Sequence, residues 1–330
     1  MKSLNRRQFT AVAGAASLAP AVMRNVAFAQ DEWASETLQI MAPASPGGGW
    51  DTTARELQRN FQETGIVETV EAFNVPGAGG TIGLAELAST HAGDGHMLMV
   101  MGLVMIGGIG LNEAVVGLDQ STPIARLTGE WEVIVVPAES ELETMEDLAN
   151  MFKEDPASVS WAGGSAGGTD HLLVGQIAQF LEIDPAQINY VPFSGGGEAL
   201  ASLLGNETTA GVSGLGEFLP QIESGELRAL AVSGRDEGGD DTIPTLQESD
   251  IDVELSNWRG IVAPPEIEDA DKEAILAAVE ELHGSDSWKE TLESFAWSDQ
   301  YLAGDEFATY IADETERINK LLTELGLLEG

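Results

Sequence analysis

Four glycine-rich segments contain the residues of this chain that are best suited to bind a ligand. They cover residues 47–49, 77–80, 163–168 and 195–197, and each follows a predicted strand and precedes a predicted helix. Glycines leave backbone N–H groups uncovered, and the first turn of a helix has unpaired N–H groups and a partial positive charge. Each segment therefore predicts an anion site, with a tight strand-to-helix turn that holds no ligand as the alternative.

Hydroxyl side chains lie in or next to the same segments. They are Ser45, Thr81, Ser165, Thr169 and Ser194. In open α/β sheets the ligand crevice lies outside the carboxyl ends of the strands, so the four segments are expected to surround one small anion. Hydrogen bonds to a charged group contribute about 1.5–3 kcal/mol each, which is enough for micromolar binding. A basic side chain is not required, and Arg55 is the only one next to any of the four segments.

Alternating strands and helices must place these segments together. Predicted strands cover residues 37–41, 67–73, 97–101, 132–136, 159–162, 189–191, 210–212, 227–232 and 260–263. Predicted helices follow residue 49 and cover 81–88, 145–153, 169–181, 197–204, 215–223, 271–283 and 304–325. The alternation favours an α/β fold with largely parallel sheets, and a chain of 330 residues has room for two domains.

The first 29 residues are typical of an export signal. Arg6 and Arg7 form a twin-arginine pair, an apolar run covers residues 11–22, and residues 27–29 fit a small-x-small cleavage site. The apolar run is too short to remain as a membrane anchor. We therefore expect export by the twin-arginine route, which carries folded proteins, to the periplasm or another extracytoplasmic space.

The charge balance excludes nucleic acid as a partner. The chain has 15 basic and 55 acidic residues, and four of the basic ones lie in residues 1–29, which leaves the remainder with a net charge of −44. Such a field repels phosphate. The acidic residues are dispersed along the chain, which indicates a halophilic surface whose self-repulsion is screened by salt. A calcium-binding surface is the alternative, but the sequence has no D-x-D-x-D-G loop.

The residue types argue against catalysis. The chain has no cysteine, and its four histidines show no metal-ligand spacing. Residues 77–83 miss the G-x-G-x-x-G spacing of dinucleotide folds by one residue. Asp170 and His171 lie near Ser165, but the G-x-S-x-G elbow of hydrolases is absent. We therefore expect no catalytic residue, no metal and no cofactor, with a secreted hydrolase as the alternative.

Motifs along nearly the whole mature chain resemble the substrate-binding proteins of tripartite tricarboxylate transporters, also called Bug-type receptors. The matching stretches are APASPGGGWDTTAR (42–55), NVPGAGGTIG (74–83), MVMGLVM (99–105), TPIARL (122–127), SWAGGSAGGTDH (160–171), NYVPFSGGGEA (189–199), PTL (244–246) and NWRG (257–260). The stretches at 165–171 and 257–260 resemble the tricarboxylate subset most. The strong acidity and the twin-arginine signal depart from the pattern, but neither falls on a motif.

The resemblance implies a type II-like periplasmic binding protein, with two α/β lobes, a ligand cleft between them and two crossing strands. Lobe one is then residues 30–134 plus 258–330, and lobe two is residues 135–257. The first crossing is expected near 132–137 and the return near 255–260. Trp258 at the return is expected either to line the cleft or to be a core residue.

The resemblance also implies that glycine segments of both lobes hold the ligand. The implied contacts are Ser45, Gly48, Gly49, Gly79, Gly80 and Thr81 in lobe one, and Gly164, Ser165, Thr169, Gly196 and Gly197 in lobe two. Asp51 is expected to cap its helix or brace its loop, because a carboxylate against a bound anion would be repelled.

The function implied by the resemblance is capture by lobe closure, followed by delivery to a membrane permease. The expected ligand is a tricarboxylate such as citrate, and the receptor is expected to act as a monomer. Two alternatives remain open at this point. One is a receptor for C4-dicarboxylates or acidic amino acids, and the other is a sensor subunit for a signalling partner.

Overall fold

The computed structural model describes residues 33–193, 196–236 and 241–328, and of Gly196 only the backbone. The predicted export signal at 1–29 lies outside the described residues, as does Ser194. Within the described part, no helix combines the length and the apolar character needed to cross a membrane.

The first sheet of the described chain has six strands. They are β1 (Thr37–Ala42), β2 (Thr69–Asn74), β3 (Met97–Gly102), β4 (Thr122–Gly129), β10 (Arg259–Ala263) and β11 (Ser298–Ala303), in the order β11-β4-β10-β3-β1-β2. Strand β3 is apolar except for its terminal glycine and is buried along its whole length, as expected for a central strand covered on both faces.

The second sheet has five strands in the described residues. They are β5 (Glu132–Pro137), β6 (Ser160–Gly163), β7 (Asn189–Pro192), β8 (Ala210–Gly214) and β9 (Leu227–Val232), in the order β7-β6-β8-β5-β9. Both sheets are mixed, which corrects the expectation of largely parallel sheets. Strand β10 runs antiparallel to β3 and β4, and β5 runs antiparallel to β8 and β9, because each enters its sheet from the other one.

Helices cover both sheets. Their bounds are α1 (Gly49–Thr64), α2 (Thr81–Thr90), α3 (Leu103–Leu111), α4 (Met145–Glu154), α5 (Thr169–Phe180), α6 (Gly196–Leu204), α7 (Leu215–Ser224), α8 (Asp269–Gly284), α9 (Asp286–Ser294) and α10 (Gly304–Glu324). Helix α1 buries Ala54, Leu57 and Phe61, which are spaced for one helical face. It ends at Gly65, whose left-handed φ of 72° suits glycine at a C-terminal cap.

The chain crosses between the sheets at two adjacent segments, residues 130–131 and 256–258. The backbone N–H of Glu130 donates to Asn257 O at 3.2 Å, and Asn257 N–H donates back to Glu130 O at 2.9 Å. Strand β5 follows the first of these segments and belongs entirely to the second sheet. Paired crossings hold the two sheets next to each other at this point.

Helix α10 packs on both halves of the molecule. Its buried face includes Phe307 and Ile318, as its apolar spacing predicts. Trp258 is a core residue: it is 1% exposed, and its indole N–H donates to Glu314 of α10 at 3.2 Å. At the far end of α10, the Glu324 carboxylate accepts a hydrogen bond of 2.7 Å from Gln179 of α5, which belongs to the second-sheet half.

Gly102 marks the place where β3 meets the return crossing. A Cβ there would collide with the carbonyl oxygen of Trp258, which is backbone and cannot move aside cheaply. We therefore predict that Gly102→Ala lowers the free energy of unfolding by about 1–3 kcal/mol. Urea denaturation at high salt measures the change. The control is Gly284→Ala, because a Cβ at the end of α8 meets open space; a similar loss in both variants would contradict the prediction.

Candidate functional site

The loop between β1 and α1 is held in shape by Asp51. Its Oδ2 accepts a hydrogen bond of 2.8 Å from Gly47 N–H, and its Oδ1 accepts one of 2.9 Å from Asn74. Arg55 pairs with the same Oδ1 at 3.0 Å. Burial acts to raise the pKa of Asp51, but the hydrogen bonds from Gly47, Arg55 and Asn74 outweigh it and hold the pKa below its usual value. Asp51 thus braces the loop, as expected.

A cavity of about 690 Å³ lies beside this loop, within the usual size range of small-molecule sites. Residues from both sides of the crossing form its walls, together with the turn between α9 and β11. The lining residues are Ala44, Ser45, Pro46, Gly47, Gly48, Gly49, Thr52, Glu130, Gly197, Gly216, Glu217, Leu219, Arg259, Ser294, Phe295, Ala296 and Trp297. The cavity is therefore positioned between the lobes that the resemblance implies.

Arg259, the first residue of β10, is the charged cavity residue that sequence reasoning missed. The side chain lines the cavity, yet the residue is only 5% exposed. Its Nη2 donates to Glu130 at 2.7 Å, and its Nη1 has no hydrogen-bond partner among the described residues. The guanidinium also lies 5.4 Å from the ring centre of Trp297. The NWRG match at 257–260 was the only sequence signal that could have found it.

Gly49 lets the first loop approach this arginine closely. A Cβ on Gly49 would lie 2.7 Å from Nη2 and 2.9 Å from Cζ of Arg259, so only glycine fits while the guanidinium keeps its place. Gly48 differs, because a Cβ there would meet only the Ser45 carbonyl oxygen, at 3.8 Å. The loop and the buried cation thus share one wall of the cavity.

The structure brings together four of the residues predicted to contact the ligand. Ser45, Gly48 and Gly49 line the cavity from the first loop, and Gly197 lines it from the first turn of α6. Gly196 precedes Gly197 in α6 and is described by its backbone alone.

The second and third glycine segments pack against α3 and do not line this cavity. A Cβ on Gly108 of α3 would lie 2.9 Å from Gly79 O, and one on Gly107 would lie 2.6 Å from Gly167 O. The predicted contacts on these two segments lie away from the cavity lining. They are Gly79, Gly80, Thr81, Gly164, Ser165 and Thr169. Thr81 donates to Ala78 O at 2.9 Å, and Thr169 is buried.

His171 has a structural position. Its Nδ1 accepts a hydrogen bond of 3.0 Å from Gly167 N–H, and its ring stacks on Tyr190 at 4.1 Å between centroids. The Tyr190 hydroxyl donates to Gly164 O at 2.8 Å. Burial lowers the pKa of His171 to about 4, so the ring stays neutral and acts as an acceptor. These contacts fix the third glycine segment.

A group of buried carboxyls lies behind the cavity. Glu132 is fully buried, and neither of its carboxyl oxygens has a hydrogen-bond partner among the described residues. Burial raises its pKa well above the usual value, and the charges of Asp170, Glu130 and Glu217 raise it further. Burial also raises the pKa of Asp170 to about 6, although Gly164 N–H donates to it. The site therefore holds at least one carboxyl that binds a proton more tightly than usual.

Comparison with known proteins identifies the family. The sequence model of the tripartite tricarboxylate transporter family receptor, TctC, matches residues 53–327. The chain belongs to this family. Its members are solute-binding receptors that serve a membrane transporter, and the receptor described here is accordingly not an enzyme.

Individual relatives support the same assignment. BugT of Bordetella pertussis is 28% identical to the receptor, over 90% of this chain and 91% of its own length. MatC of Rhodopseudomonas palustris, solved with bound malate, is 21% identical, with a TM-score of 0.73 over 87% of this chain and 98% of its own. A second R. palustris protein, solved with adipate, is 19% identical, with a TM-score of 0.75 over 88% of this chain and 97% of its own. The likeness confirms the predicted periplasmic-binding-protein fold.

The raised carboxyl pKa values make the stability of the receptor depend on pH. The folded state binds these protons more tightly than the unfolded chain does. The contribution of Asp170 to stability therefore falls as the pH rises from about 4 through about 6, and that of Glu132 falls as the pH rises through its raised pKa. We predict that Glu132→Gln, which removes one buried charge, raises the free energy of unfolding at pH 7.5 by about 1–2 kcal/mol. The gain should vanish near pH 4, where the carboxyls are protonated.

Urea denaturation of wild type and variant between pH 4 and 8 measures this difference. His171 contributes in the opposite sense, since its lowered pKa of about 4 adds stability as the pH rises; this contribution is common to both proteins and cancels. Glu290→Gln is the control, because it removes the same charge from an exposed position on α9. A variant that is less stable than wild type at pH 7.5 would contradict the prediction.

Proposed function

We propose that the receptor captures a small organic carboxylate in the cavity beside Arg259 and delivers it to a membrane permease. The observation that carries this proposal is a buried guanidinium with an unpartnered nitrogen, on a cavity wall shared with the first glycine loop. A charged donor in a partly dry site binds a carboxylate more strongly than a neutral amide does. It also offsets the repulsion that a net charge of −44 exerts on any anion.

Two solved structures of similar fold support a small carboxylate as the proposed ligand. MatC was solved with malate and a second structure with adipate, and both ligands are dicarboxylates. The sequence motifs favour a tricarboxylate such as citrate, and we propose it as the first candidate. C4-dicarboxylates and acidic amino acids are the runner-up ligands that the same cavity could hold.

Capture is proposed to work by closure of two lobes, 30–134 plus 258–330 and 135–257, about the paired crossings. Ser45, Gly48, Gly49 and Gly197 would contact the ligand together with Arg259. The remaining implied contacts stay predictions, since their segments lie on α3 and would reach the same ligand only after the lobes rotate. They are Gly79, Gly80, Thr81, Gly164, Ser165 and Thr169. Gly196 also stays a prediction, and it precedes the cavity-lining Gly197 in α6.

Export and surface chemistry complete the proposal. Receptors of this family are periplasmic, and we propose the twin-arginine route from the paired arginines at residues 6 and 7. We also propose that the dispersed acidic residues form a halophilic surface, on which salt screens the repulsion between neighbouring carboxylates.

A screen of organic acids by thermal shift and calorimetry at high salt tests the function. A carboxylate that binds only the folded state raises the melting temperature, by mass action. We predict that citrate or a related di- or tricarboxylate produces the largest shift. No shift with any of these acids would contradict the proposed function.

The site itself is tested with Arg259→Gln combined with Glu130→Gln, which removes the buried pair without stranding one charge. Loss of a charged hydrogen bond costs about 1.5–3 kcal/mol, so affinity should fall about 10- to 100-fold. The matched control is Arg235→Gln combined with Glu248→Gln, a pair at 3.0 Å that does not line the cavity. Equal affinity in both double variants would place the ligand elsewhere.

The adjacent glycines of the first loop give a second, steric test. Gly49→Ala should displace the Arg259 guanidinium and reduce affinity by about tenfold or more, roughly 1.4 kcal/mol. Gly48→Ala should cost much less, because its new methyl group meets only ordinary contact distances. Calorimetry with the best ligand of the screen measures both. Equal losses in the two variants would mean that the loop, and not Arg259, determines affinity.

A further inference from the structure

Glu217, in the first turn of α7, faces the cavity from the second-sheet half of the molecule. It is exposed there, and its Oε2 accepts a hydrogen bond of 2.9 Å from the buried Ser213 hydroxyl. No donor among the described residues reaches its other oxygen, Oε1. A carboxylate with a free acceptor therefore lines a cavity whose proposed ligand is itself an anion.

The cation on the cavity wall is paired with a carboxylate other than Glu217. Among the described residues, the charged side chains that line the cavity are those of Arg259, Glu130 and Glu217. Glu130 is compensated, because Arg259 donates to its Oε2 at 2.7 Å and its Oε1 lies beside Gly214 and Gly216 at the start of α7. Glu217 forms no ion pair among the described residues, although the charge of Arg259, which pairs with Glu130, also acts on it. A ligand that offered only carboxylates and methylene groups to this wall would be repelled by it.

We propose that Glu217 determines specificity by accepting a hydrogen bond from a hydroxyl or ammonium group on the ligand's carbon chain, while Arg259 holds a ligand carboxylate. The ligand class is then a hydroxy- or amino-substituted carboxylate, and unsubstituted di- and tricarboxylates are disfavoured. This inference rests on the proposed function, since it assigns a second contact in the same cavity. A bound ligand that covers this acceptor without offering it a donor removes its contact with water and is disfavoured, which is how such a residue selects.

Matched ligands provide the test. Succinate, malate and aspartate share one carbon chain and carry hydrogen, hydroxyl and ammonium at the same position, while tricarballylate and citrate differ by one hydroxyl. Calorimetry with the wild-type receptor at high salt should show malate or aspartate binding at least about tenfold more tightly than succinate, or citrate more tightly than tricarballylate by a similar factor. The malate and aspartate arms separate a hydroxyl from an ammonium donor.

Glu217→Gln should change the affinities for unsubstituted and donor-bearing ligands in opposite directions. Unsubstituted acids should bind more tightly, because the repelling charge is gone, and the preference for the donor-bearing member of each pair should fall about tenfold. An ammonium ligand should lose affinity outright. Glu223→Gln is the control: it removes the same charge from an exposed position on the same helix and outside the cavity, and should leave the preference unchanged.

The outcomes separate the inference from the function on which it rests. If no carboxylate binds the wild-type receptor, the proposed function fails and the inference fails with it. If carboxylates bind but Glu217→Gln changes the affinity for every ligand by the same factor, only the inference is overturned. A wild-type receptor that binds succinate as tightly as malate and aspartate, and tricarballylate as tightly as citrate, would overturn it as well.

Discussion

The buried ion pair between Arg259 and Glu130 is the interaction on which the site depends. Arg259 begins β10 of the first sheet, and Glu130 belongs to the crossing that leads to the second sheet, so the pair joins the first sheet to the crossing. Burying either charge alone would cost free energy, and the attraction between the two charges offsets that cost. The pair leaves Nη1 of Arg259 without a hydrogen-bond partner among the described residues, and this is the nitrogen that the proposed function assigns to an anion.

Glycines in this molecule act through close approach as much as through bare amides. Gly49 admits the Arg259 guanidinium beside the first loop, and Gly107 and Gly108 let α3 lie against the second and third glycine segments. These are packing roles, in which a single methyl group would force backbone or a pinned charge to move. The same residue type in the same strand-to-helix position thus serves the cavity in one place and the core in another.

Secondary structure was predictable where apolar spacing is regular. The buried faces of α1 and α10 follow from the positions of Leu57 and Phe307 with their neighbours, and β3 follows from its apolar run. Four elements were missed, namely β4, β11, α3 and α9. Local preference argues against three of them, because β4 contains Pro123 and Arg126, β11 is polar and α3 carries three glycines. Tertiary contacts stabilise them instead: β4 pairs with β10, β11 pairs with β4, and α3 packs between two glycine segments.

The sequence alone determined the α/β class, the family motifs, the extreme acidity and a first loop braced by Asp51, because each depends on composition or on residues close together in the chain. The tertiary structure decided which glycine segments face the cavity and that Arg259, Glu130 and Glu217 meet there. Those residues are far apart in sequence. Only the crossing of the chain between two mixed sheets brings them within range of one another, and no local pattern encodes that distance.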